Sequence, residues 1–188
     1  LLSALAVALI ARGGAVPAAG DGGGSLLAAA LRGVRAVRGH GLLAFMLAIV
    51  GLQNGVWIAC YYLALPLHLE RGFGAGGLAA FGTVVAAYGV GNLAGTLVLG
   101  NLPLPRVPAR RVFAGILLFG AATIAMAFAM GLPPGWQVAG IAACAAVAAV
   151  GGPMQDIVVA TLRQTDLAPG DIAPAVRAHM VSVQAGTV

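Results

Sequence analysis

The sequence predicts an all-helical bundle that crosses a membrane several times, and three observations support this fold class. Hydrophobic residues make up 61% of the chain and charged residues 8%, whereas a soluble domain is roughly half apolar and a quarter charged. The mean hydropathy is +1.00. Four apolar stretches are long enough to cross a bilayer core of about 30 Å, which takes about 20 helical residues.

The four predicted spans are residues 41–66, 76–100, 112–130 and 136–160. Their connections, "HLERGFGA", "NLPLPRVPARR" and "GLPPG", are short and contain the Pro, Gly or charged residues that end helices. Residues 174–188 turn apolar again and predict the start of another span.

The segment before the first span predicts a helix end and a linker. Residues 1–11 are apolar without a preceding basic region, so we expect the end of a transmembrane helix and not a signal peptide. Residues 12–40 predict a linker, first Gly-rich and then "LLAAALRGVRAVRGH". The second part can form a short interfacial helix with Arg32, Arg35 and Arg38 on one side.

The arginines predict the orientation in the membrane. Nine of them lie in the linker, the second connection and the segment after the fourth span, and only Arg71, next to Glu70, lies on the other side. Basic segments stay in the cytoplasm, so we expect the linker on the cytoplasmic face of a cell membrane. Such scattered arginines are typical of topology signals, and we expect a lipid bilayer and not nucleic acid as the partner.

The layout of a spanning tail, a long basic linker and further spans resembles the major facilitator superfamily. In that family two six-helix halves are joined by a long cytoplasmic linker. The stretch "GGPMQDIVVATLRQTDLAPGDIAPAVRAHMVSVQAG" resembles the region of the tenth and eleventh helices in the drug-exporter and siderophore-exporter branch. The loop "GNLPLPRVPARR" is similar to the family signature GxLxDRxGRR at Gly100, Leu102, Arg110 and Arg111, with two extra residues and with Leu104 replacing the Asp.

The resemblance implies that the chain covers the end of helix six to the start of helix eleven in a twelve-helix fold. It also implies an N-terminal half of the same protein as a partner. The implied function is secondary transport, in which small amphipathic molecules leave the cell by alternating access, as an antiport driven by protons. The alternative is a polytopic scaffold or complex subunit that transports nothing.

Covalent chemistry is not expected from the residues present. The sequence has no Ser-His-Asp order, paired carboxylates or phosphate loop, and Cys60 and Cys144 lack metal-ligand spacing. His40, His68 and His179 read as residues of helix ends or loops. "GAGGLA" and "GVGNLA" match a dinucleotide fingerprint only in form, because both lie in or beside a predicted span. We therefore expect no enzyme activity, cofactor or metal.

A polar stripe in the first span is the candidate substrate site. Gln53, Asn54, Trp57 and Tyr61 recur at helical spacing and fall on one face. Because polar groups in lipid need water or another helix, this face should point into the bundle. The resemblance makes it line a central cavity, where the side chains would contact substrate. Alternatively, the amides only hydrogen-bond a neighbouring helix and the aromatic rings only pack.

Glycines four residues apart predict close helix packing, because small residues let helix backbones approach in a membrane. Gly51 with Gly55 and Gly91 with Gly95 have this spacing. Tyr88, Asn92 and Thr96 recur at i, i+4 and i+8 beside the second pair, and we interpret them as packing residues as well.

Asp156 is the carboxylate that raises a functional question. It lies about 20 residues into the fourth span, near the predicted cytoplasmic end, behind a Gly-Gly-Pro sequence that should loosen the helix. The leading hypothesis is a gating charge pair with Arg110 or Arg111, while Arg163 lies on the same face but about 10 Å further along. Proton coupling by Asp156 and a solvated interfacial acid remain the alternatives.

Overall fold

The computed structural model describes residues 26–186, and all of their regular structure is helical, which confirms the predicted all-α class. The predicted helix end at 1–11, the first part of the linker with Arg12, and the last two residues lie outside the described residues. Residues 26–186 form seven α-helices, which are α1 Leu26–Val37, α2 Gly41–Trp57, α3 Leu65–Phe73, α4 Gly77–Gly100, α5 Pro108–Ala129, α6 Pro134–Asp166 and α7 Pro169–Ala185.

Three stretches of the described helices are long and apolar enough to cross a membrane, namely Gly41–Gly100, Pro108–Ala129 and Pro134–Asp166. The first stretch reverses direction at the short 3₁₀ turn Gly74–Gly76, where Gly74 adopts a φ of 52°. Glycine adopts this left-handed conformation without the steric cost that other residues meet. The turn folds α3 back onto α4, and it separates the predicted spans 41–66 and 76–100.

A seven-residue π-helix, Ile58–Ala64, joins α2 to α3. Pro66 follows it, and a proline has no N–H to donate and crowds the carbonyl four residues earlier. Widening the helix by one residue per turn accommodates that ring without ending the helix. As a result the side chains after Trp57 are rotated relative to a regular α-helix.

Helix α6 forms the centre of the bundle, with α4 on one side and α5 on the other. Gly91 faces Ala146 and Gly95 faces Val150, so α4 and α6 run parallel, whereas α5 runs antiparallel to α6.

Helix α6 spans 33 residues and continues through Pro153, so the predicted loosening does not end it. Small residues before the proline and contact of its ring with Gly95 leave room for the pyrrolidine.

Two apolar clusters mark the two ends of the bundle. One joins the α2–α4 hairpin to α5 and the first half of α6, around Leu65, Val84, Met126 and Ile141. The other joins the start of α2 and α5 to the end of α6 and to α1 and α7, around Met46, Val112, Val158 and Ala175. The second end therefore collects the basic segments of the described chain, and a polar cavity lies between the two clusters.

Candidate functional site

A cavity of about 300 Å³ opens where five helices meet. Its walls come from α2, α4, α5, α6 and α7, so residues distant in sequence face one space. It combines amides, aromatic rings, a carboxylate and an imidazole within otherwise apolar helices. The lining residues are Met46, Val50, Gln53, Asn54, Trp57, Tyr88, Phe119, Gly152, Gln155, Asp156, His179 and Val183.

Two amides of the predicted stripe line this cavity in different ways. The Asn54 side chain donates a hydrogen bond from Nδ2 to the backbone carbonyl of Val183 at 3.0 Å, which ties α2 to α7. Gln53 makes no hydrogen bond to any described residue and is half-buried at the cavity wall. It also borders an apolar crevice of about 340 Å³ between α2 and α5. The Asn54 side chain therefore links α2 to α7, whereas the Gln53 side chain is free to hydrogen-bond a ligand.

An aromatic cluster closes one side of the cavity. Trp57 lies 6.3 Å from Tyr88 and 4.9 Å from Tyr62 between ring centroids. Tyr61, predicted to contact substrate, lies instead in the core, 5% exposed, with its ring 5.3 Å from Tyr88. The rotation by the π-helix explains its place behind the cavity wall, where it supports the rings of Trp57 and Tyr88.

Two of these aromatic side chains carry buried polar atoms without a partner. The indole Nε1 of Trp57 and the hydroxyl of Tyr61 form no hydrogen bond with the described residues. The Tyr88 side chain lies beside the indole, but its position does not meet hydrogen-bond geometry. An unpaired buried donor costs free energy. Trp57 lines the cavity, but its Nε1 is enclosed, so the indole ring and not the N–H is offered to a ligand.

Helix α6 supplies the floor of the cavity through Gly152, Gln155 and Asp156. Gln155 is 2% exposed, and its Nε2 donates to the Gly151 carbonyl at 3.1 Å. Asp156 is exposed at the cavity and forms no ion pair with any described residue. The Arg163 guanidinium, two turns further along α6, acts on it electrostatically but does not line the cavity.

The predicted gating arginines lie at the start of α5. Arg110 is exposed, and neither it nor Arg111 pairs with Asp156 in this structure. The Arg111 side chain is half-buried, and its Nη1 is enclosed without a hydrogen-bond partner. The structure therefore brings Asp156 to the candidate substrate residues and leaves the arginine loop apart from it.

The sequence does not single out three polar residues of the cavity as site residues, namely Tyr88, Gln155 and His179. Tyr88, predicted as a packing residue, packs against the first apolar cluster and also lines the cavity. Asn92 and Thr96 are exposed, and the Thr96 hydroxyl donates to the Asn92 Oδ1 at 3.4 Å. His179 was placed at a helix end or in a loop, and this is wrong because it lies inside α7, with a buried Nδ1 that has no partner. A helical wheel of α7 places it with Val183, but only the contact to Asn54 shows that this face is internal.

The four predicted packing glycines all lie at close helix contacts. A Cβ on Gly51 would lie 2.7 Å from the Ser182 carbonyl oxygen and one on Gly55 2.9 Å from that of Gly186, both on α7 or at its end. The Ser182 hydroxyl also donates to the Leu47 carbonyl at 2.8 Å. Gly91 meets the backbone of Ala146, and Gly95 packs against Val150.

The contact between two further glycines, on α5 and α6, was not predicted. Gly115 on α5 and Gly151 on α6 face each other so closely that a Cβ on either would lie 2.8 Å or 2.6 Å from the other's carbonyl oxygen. Their sequence separation hides the pairing, because it depends on how two distant helices cross.

The described residues contain no group of three or more His, Cys, Asp or Glu side chains that could hold a metal ion. Cys60 and Cys144 are half-buried free thiols. Residues 74–79, which match the dinucleotide pattern, form the turn before α4 and its first residues, and 89–94 lie within α4. The first match therefore forms a turn and a helix start, and the second lies in a packed helix, so neither has the strand-turn-helix context of a dinucleotide site.

No protein-family model matches the chain, and searches of the curated proteins and of the solved structures find no match.

Proposed function

We propose that the protein is a membrane transporter of the major facilitator type that exports small amphipathic molecules. The cavity between α2, α4, α5, α6 and α7 is the substrate site of this proposal. Gln53 and Trp57 contact the substrate, Tyr88 and Phe119 complete the apolar walls, and Asp156 supplies charge. This assignment rests on the convergence of the residues in one cavity and on the sequence resemblance.

The single observation that carries the proposal is the unpaired Asp156 carboxylate beside an aromatic wall. A charged group within apolar helices is costly, and such groups usually mark substrate or ion pathways. A carboxylate attracts a cation, and the face of an indole ring attracts it further. The preferred substrates are therefore amphipathic organic cations.

The transport cycle follows from the family resemblance as alternating access between two halves of the protein. In this cycle the linker side faces the cytoplasm. Protons drive export when Asp156 exchanges a substrate cation for a proton, because either one neutralises the carboxylate and the site has no net charge in both states. The latch between Asp156 and Arg110 or Arg111 belongs, in this proposal, to a conformation other than the one described.

The test is export of fluorescent lipophilic cations, with anionic siderophores for comparison, from cells that express the full-length gene. Energy-dependent export of the cations that stops with a protonophore supports the proposal. Asp156→Asn should abolish it, whereas Asp166→Asn at the exposed end of α6 should not. Export that is unchanged by Asp156→Asn would refute the role of this carboxylate.

A second candidate function is a polytopic scaffold, and the Asn54 and Ser182 contacts to neighbouring backbone favour it. These hydrogen bonds and the glycine contacts hold helices together without any ligand. The same assay distinguishes the two, because a scaffold moves no compound in an energy-dependent way. Six predicted spans upstream of the linker in the full-length gene would favour the transporter.

A further inference from the structure

Helix α1 has one face packed against the bundle. Ala30 and Val37 are buried, and Gly33 packs directly against the backbone of Pro174 on α7. These residues recur at i, i+3 and i+7, which is one side of a helix. The contact fixes α1 on α7 so that its opposite side faces outward.

The outward face combines unpaired cations with exposed aliphatic side chains. Leu31 and Val34 are 49% and 43% exposed. Arg32, Arg35 and Arg38 are exposed as well, and no described carboxylate forms an ion pair with them. Leu31, Arg35 and Arg38 follow each other at i, i+4 and i+7, so one ligand surface would meet both kinds of group.

Each component of this face is complementary to an anionic lipid leaflet. Contact of Leu31 and Val34 with water is unfavourable, and acyl chains would remove their apolar surface from water. Guanidinium groups bind phosphate oxygens with paired hydrogen bonds. Basic residues at a leaflet surface are attracted to anionic headgroups, and apolar side chains beside them add binding by entering the acyl boundary.

We propose that the outward face of α1 is a docking site for anionic phospholipid. Arg32, Arg35 and Arg38 bind headgroup phosphates while Leu31 and Val34 enter the acyl boundary. The exposed Arg110 lies at the same end of the bundle, where the second apolar cluster gathers the starts of α2 and α5. Since α1 packs on α7, which also carries His179 of the cavity, lipid binding would stabilise one cavity wall.

The experiment counts lipids bound to the purified full-length protein by native mass spectrometry during titration with phosphatidylglycerol or phosphatidylcholine. Each arginine near the surface adds about fivefold in affinity for anionic lipid. The triple variant Arg32→Gln, Arg35→Gln, Arg38→Gln should lose on the order of a hundredfold of the preference for phosphatidylglycerol. Arg71→Gln, at the opposite end of the bundle, should lose none.

Two controls keep the result interpretable. The matching triple variant to lysine keeps the charges, so it should retain most of the preference and shows whether loss in the glutamine variant reflects charge and not misfolding. Free glycerol phosphate should not compete at millimolar concentration, since it lacks the acyl chains that meet Leu31 and Val34. An unchanged preference in the glutamine variant, or full competition by free glycerol phosphate, would overturn the proposal.

Discussion

The two sides of α6 differ in how closely the neighbouring helices approach: one side packs tightly against α5, and the other faces the cavity. On one side Gly151 meets Gly115 so closely that a Cβ would lie within 2.6 Å of a backbone oxygen. On the other side Gly152, the next residue, has nothing within 4 Å of its Cβ position and lines the cavity. Gly151 therefore allows a close helix contact, whereas its neighbour Gly152 leaves space in the cavity.

This difference shows where binding chemistry is possible. At the glycine contacts between described helices, one helix backbone lies close to the next, so packing alone accounts for the glycines. At the cavity, the Trp57 indole N–H and the Asp156 carboxylate lack partners among the described residues. The Asp156 carboxylate faces the cavity without an ion-pair partner, so a cationic ligand can bind to it there.

The largest expected effect is on folding, from Gly91→Ala. The added methyl would overlap the backbone of Ala146, which cannot move without separating α4 from α6. Overpacking of this kind costs about 1–3 kcal/mol, so the apparent melting temperature of the solubilised full-length protein should fall clearly. Gly89→Ala is the matched control on the same helix, because nothing lies within 4 Å of its Cβ position. Equal melting temperatures for the two variants would contradict the distinction.

The next effect is on binding, from Trp57→Ala. Loss of the indole face removes a cation–π contact of about 0.5–2 kcal/mol, so affinity for an organic cation should fall between about twofold and thirtyfold. Trp136→Ala is the control, since Trp136 is 72% exposed at the start of α6 and outside the cavity. Equilibrium binding to the purified full-length protein measures both. An equal loss of cation affinity in the two variants would contradict the role of Trp57 in binding.

The smallest effects separate two neighbouring amides. Asn54→Ala loses the hydrogen bond to Val183, so stability should fall by about 1 kcal/mol or less while cation affinity stays near the wild-type value. Gln53→Ala removes an amide without a protein partner, so affinity should fall by a few-fold while stability is kept. Melting curves and binding isotherms on both variants test this pair. If Asn54→Ala lowered cation affinity and Gln53→Ala lowered stability instead, the assigned roles of the two amides would be wrong.

Much of the helical framework could be predicted from the sequence, because apolar length and Gly or Pro breaks determine it locally. The turn at 74–76 and the helix α5 lie close to their predicted positions. The predicted span 136–160 also runs through Pro153, as α6 does. The contact of the proline ring with Gly95 could not be predicted, because it depends on how α4 packs against α6.

The candidate site could be predicted only in part. Gln53, Asn54 and Trp57 lie on one face by helical spacing, and all three line the cavity. Tyr61 does not, because the π-helix before Pro66 changes the spacing that the prediction assumed. His179 and Asp156 join the cavity through the packing of α7 and α6, which involves contacts between residues more than a hundred positions apart. No local pattern contains that information.

The most direct test of the central claim is equilibrium binding of tetraphenylphosphonium to the purified full-length protein. The account predicts that Asp156→Asn lowers the affinity about tenfold or more, because a charged partner is lost from the cavity. Asp166→Asn, which removes an exposed carboxylate at the end of the same helix, should leave the affinity unchanged. Wild-type affinity in Asp156→Asn, or an equal loss in Asp166→Asn, would contradict the claim that this cavity binds cations.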